Sequence, residues 1–85
     1  MCTHIADSIT VSGSAKGPDG WFPLGLAVAS VDHPQHASAA HTLNLDFYGR
    51  LGTAGSRLAV ELDPESARRL VQAIEAALAE AAPVI

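Results

Sequence analysis

The chain alternates between apolar and polar positions over most of its length, then changes period near its end. In residues 4–12, HIADSITVS, Ile5, Ile9 and Val11 fall on one side, with Asp7 an exception among them, and His4, Ser8 and Thr10 fall on the other. This is the period of a half-buried strand. GSAKGPDG, residues 13–20, is read as a flexible glycine-rich connection. It is no phosphate loop, because its lysine precedes the second glycine and no helix signal follows. WFPLGLAVASV, residues 21–31, predicts a second strand. Unbroken alternation puts Phe22, Leu24, Leu26 and Val28 on one face and Trp21, Gly25, Ala27 and Ala29 on the other. Pro23 belongs near the strand start or at an edge.

AHTLNLDFY, residues 40–48, alternates again, with His41, Leu43, Leu45 and Phe47 opposite Thr42, Asn44, Asp46 and Tyr48. GRLGTAGS is a turn segment, and RLAVEL, residues 57–62, predicts a fourth strand with Leu58, Val60 and Leu62 inward. Asp63 then suits a helix N-cap, Pro64 the first helical position and Glu65 the positive end of the helix dipole. Ala67, Leu70, Val71, Ile74, Ala77, Leu78 and Ala81 form one helical stripe, which Pro83 ends. The expected fold is therefore α+β: a four-stranded antiparallel sheet with one C-terminal helix packed on one face, in a single domain over residues 1–85. The face away from the helix is expected to carry Trp21, Ala27, Ala29, Asn44, Asp46, Arg57 and Glu61. A second subunit or a small molecule is expected to cover it.

Composition narrows the function classes. Eighty-five residues bury a marginal core, and such chains gain stability from a metal, a disulfide or a partner. Cys2 is the only cysteine, so an internal disulfide is excluded. A net charge of −4 with few aromatics and no basic patch argues against nucleic-acid binding. No apolar run spans a bilayer, and no signal-peptide pattern opens the chain, so a cytoplasmic protein is expected.

The candidate chemistry lies with the histidines. His33, His36 and His41 fall within DHPQHASAAHTLNLDF, residues 32–47, while His4 follows Cys2 by two residues. Imidazole and thiolate suit zinc and other late transition metals. The candidate ligands are His33, His36 and His41, joined by Cys2 or His4, with Asp32 and Asp46 orienting rings through a second nitrogen. His41 and Asp46 have opposite strand parity, so a regular strand aims only one of them at an ion. Three protein ligands leave a position open for water and hence for hydrolase, isomerase or lyase chemistry on a small molecule. The alternative is a metal-free homodimeric binding module that uses the open sheet face around Trp21. Whether the protein is an enzyme stays open at this level.

MCTHIADSITVSGSAKGPDGWF, DHPQHASAAHTLNLDF and RLAVELDPESARRLVQAI together resemble an uncharacterised family of short actinobacterial-type proteins that open with Met-Cys-Thr. The resemblance spans nearly the whole chain. It implies a small stand-alone protein in which Asp32, His33, His36, His41, Asp46 and Phe47 form a defining segment, and it implies no particular reaction.

Overall fold

The computed structural model describes residues 5–32, 41–50 and 56–84. The chain runs β1 (Ile5–Gly17), β2 (Gly20–Asp32), β3 (Thr42–Gly49), β4 (Arg57–Leu62) and α1 (Pro64–Ala81). The four strands form one antiparallel sheet in the order β1-β2-β3-β4. The α+β architecture read from the sequence is thus the observed one, and β4 has the expected bounds.

The first hairpin is longer than the sequence suggests. GSAKG is not a loose connection; it continues β1, with Ala15 opposite Phe22 and Lys16 opposite Trp21. Pro18 and Asp19 make the turn, and Gly20 follows with φ +112°, a backbone conformation that glycine adopts without a steric penalty. Residues of low strand propensity are held extended here by the ladder to β2, a case of tertiary pairing overriding local preference.

The second departure concerns which side chains share a face. Leu26 pairs with Tyr48 but Leu24 pairs with Gly49, so β2 uses two steps where β3 uses one. The extra residue between them is Gly25. Arg50 crosses against it, donating its backbone N–H to the Pro23 carbonyl at 3.1 Å. A Cβ on Gly25 would lie 2.9 Å from Arg50 Cγ and 3.1 Å from its Cα, so only glycine fits without movement. One inserted residue flips the facing of everything beyond it. Phe22 and Leu24 therefore do not share a face with Leu26 and Val28. On β2 the residues opposite Leu43 and Leu45 are Val31 and Ala29. Ala27 and Ala29 thus belong to the helix side, correcting the sequence-based grouping. The opposite face holds Leu26 and Val28 beside Tyr48, Asp46, Asn44, Arg57 and Glu61.

Helix α1 starts as expected. The Asp63 carboxylate accepts the Ser66 backbone N–H at 2.7 Å, Pro64 occupies the first turn, and Ala67 N–H bonds to the Asp63 carbonyl at 3.0 Å. The helix packs mainly against β3 and β4. Among the described residues only Ala15, Ala27 and Thr42 are buried, and no helix residue is. No helix among the described residues is long and apolar enough to cross a membrane.

Two measurements test this frame. Gly25→Ala should lose about 1–3 kcal/mol of stability in urea denaturation, because the new methyl meets Arg50 backbone. The Ser66 N–H holds the Asp63 carboxyl below its ordinary pKa. That contribution is present in full above the ordinary value of about 3.9 and is lost as pH falls through the lower folded value. Asp63→Ala should reduce helicity and the melting midpoint at pH 7, and the difference from wild type should vanish at the acid end of that window; circular dichroism reads both.

Candidate functional site

Backbone pairing determines where the histidine-bearing segments join the sheet. Ile5 pairs with Val31, and Asp32 pairs with Thr42. The start of β1, the end of β2 and the start of β3 therefore meet at one end of the sheet. Leu62, the last residue of β4, pairs with Leu43 and brings the start of α1 to the same end. Cys2, His4, His33 and His36 lie outside the described residues. The segments that carry them attach at Ile5 and Asp32, and His41 directly precedes Thr42.

His41 is exposed and sits in a bend, one residue before β3 begins. The alternation that assigned it to the side of Leu43, Leu45 and Phe47 does not reach it, because facing is defined only once the strand has started. Thr42 is fully buried, and its hydroxyl donates to Asn44 Oδ1 at 2.8 Å. This bond anchors the first residues of β3 directly after His41.

Asp46 has a different partner from the one expected of it. Its carboxylate accepts from the Arg57 guanidinium at 2.5 Å across the β3–β4 ladder. Arg57 also lies over the Tyr48 ring at 5.8 Å and is held above its ordinary pKa by the bond to Asp46. Asp46 stands four residues along the strand from Thr42, roughly 13 Å at about 3.3 Å per residue. Asp32, in contrast, ends β2 at the histidine end of the sheet. Among the described residues, no group of three or more histidine, cysteine or acidic side chains is placed to hold an ion.

The sequence reading missed a second feature. An open groove of about 410 Å³ runs between α1 and the sheet. Ala29, Val31, Leu43 and Leu45 form its floor, and Leu70, Val71 and Ile74 form its helix wall, with Arg68 at the margin. The helical stripe foretold an apolar contact, yet Val71 remains 55% exposed, Ile74 51% and Leu78 56%. The groove thus leaves a continuous apolar surface in contact with water.

Thr42→Val keeps the side-chain shape and removes the donor to Asn44. It should cost about 1 kcal/mol and speed amide exchange at the start of β3, which hydrogen exchange by NMR resolves by residue.

Residues 1–85 match the model of a family of unknown function, DUF6295. No curated protein and no solved structure matches the chain.

Proposed function

We propose that this chain, which belongs to the DUF6295 family over residues 1–85, is a small protein that binds a divalent transition metal at the histidine end of its sheet. The observation that supports this reading is the pairing of Ile5 with Val31 and of Asp32 with Thr42. Segments distant in sequence, carrying Cys2, all four histidines and Asp32, join the fold at one end. Zinc is the first choice, because imidazole and thiolate donors suit it.

In this reading two or three of His33, His36 and His41 bind the ion, with Cys2 or His4 completing the set. Asp32, which ends β2 at this end of the sheet, would orient a ligating ring. Asp46 stays with Arg57. A site with three protein ligands would bring a water acidic enough to act as base or nucleophile near neutral pH, which suits hydrolysis, isomerisation or elimination on a small molecule. A bound metal also supports a core as thin as this one.

The groove beside α1 favours a second reading, a binding module whose apolar face receives another molecule. Elemental analysis of untagged protein addresses the first reading. It should give close to one metal per chain. Protein that is empty and also takes up no added Zn²⁺, Fe²⁺ or Cu²⁺ would remove the metal reading and leave the second.

Stability gives an independent check. Metal at 100 times its dissociation constant contributes about 2.7 kcal/mol, so a chelator at pH 7 should lower the melting midpoint of wild type. His41→Ala should remove most of that response. Imidazoles bind metal only when neutral, so metal affinity should fall as pH drops through about 6.5. A wild-type melting curve indifferent to chelator at neutral pH would count against the site.

A further inference from the structure

A sheet of four strands spaced about 4.8 Å apart is roughly 19 Å wide, whereas a helix covers about 10 Å. This chain supplies one helix, and it packs on β3 and β4. Among the described residues, no helix lies over the β1 and β2 half of the same face. Ile5, opposite Val31, is 55% exposed there, and Ile9, opposite Ala27, is 60% exposed. The missing cover and the unburied helix stripe are complementary in kind.

We propose that the occupant of the groove is a second copy of this chain. Two copies related by a twofold axis lay each α1 stripe over the β1–β2 half of the other's sheet, giving every four-stranded face two helices. The inference rests on reading the groove as a binding surface and is independent of the metal. Charge supports this occupant. Asp7 lies on the uncovered face between Ile5 and Ile9, and Arg68 lies at the groove margin; among the described residues neither makes an ion pair. Covering Asp7 is costly unless a cation meets it, and in the twofold arrangement Arg68 is the groove's cation.

Light scattering across a dilution series of the full chain tests this. The expected result is a dimer at micromolar concentration, with a melting midpoint that rises with protein concentration. Ile9→Glu and Leu78→Glu should each raise the dimer dissociation constant at least tenfold. Trp21→Glu, on a side chain 69% exposed near the hairpin turn, should leave the dimer intact. If Leu78→Glu abolishes folding, the milder Leu78→Ala decides, again by a shift of at least tenfold. A dimer that survives the Ile9 and Leu78 changes but is lost with Trp21→Glu overturns the proposal. So does a folded monomer at high micromolar concentration. If that monomer binds 8-anilinonaphthalene-1-sulfonate, the groove stands as a binding surface with a different occupant; if it does not, both readings fall.

Discussion

The width of a sheet against the width of a helix is the constraint on which the rest of this fold depends. Four antiparallel strands present more apolar face than one helix can shield, and α1 is tied to the β4 edge because only Asp63 separates it from Leu62. That tether places the helix over β3 and β4. It leaves Ile5 and Ile9 outside the contact and leaves the stripe from Leu70 to Leu78 half wet. Apolar surface left in water forgoes about 25 cal/mol for each Å² that burial would have removed.

The polar face is closed by different means. Asn44, Asp46, Arg57 and Glu61 stand together there, and the Asp46–Arg57 pair joins β3 to β4 with the Tyr48 ring beneath the guanidinium. Such a pair on an accessible sheet surface adds little stability. The two faces therefore differ in what they ask of their surroundings. One carries an ion pair and polar side chains beside Leu26 and Val28, and the other is apolar apart from Asp7.

Much of this was legible in the residues. Asp63-Pro64 marked the helix start, the stripe marked its apolar side, and strict alternation in RLAVEL and HTLNLDFY marked two strands. The parts that were not legible have physical reasons. Both parities of β2 are apolar or glycine from Leu24 to Ala29, so no pattern revealed that Gly25 is an inserted residue and that Ala27 and Ala29 face the helix. GSAKG has little strand propensity and is extended only because Trp21 and Phe22 pair with it. His41 has the parity of a strand residue but precedes the strand, and alternation cannot show where a ladder begins. The histidines clustered in sequence, but the meeting of the ends of β1, β2 and β3 followed from pairing register, which a one-dimensional pattern does not contain.

The irregularity in β1 has a consequence of its own. This strand, thirteen residues long, is the margin of the sheet, with no described strand on its outer side. Such a margin is a template on which further chains can stack into fibres. Between Thr10 and Gly13 the strand takes one step more than β2, which bends it and breaks the outward row of donors and acceptors into two short stretches. An incoming strand could match one stretch or the other but not both in a single register, and the kink thereby works against runaway edge-to-edge growth.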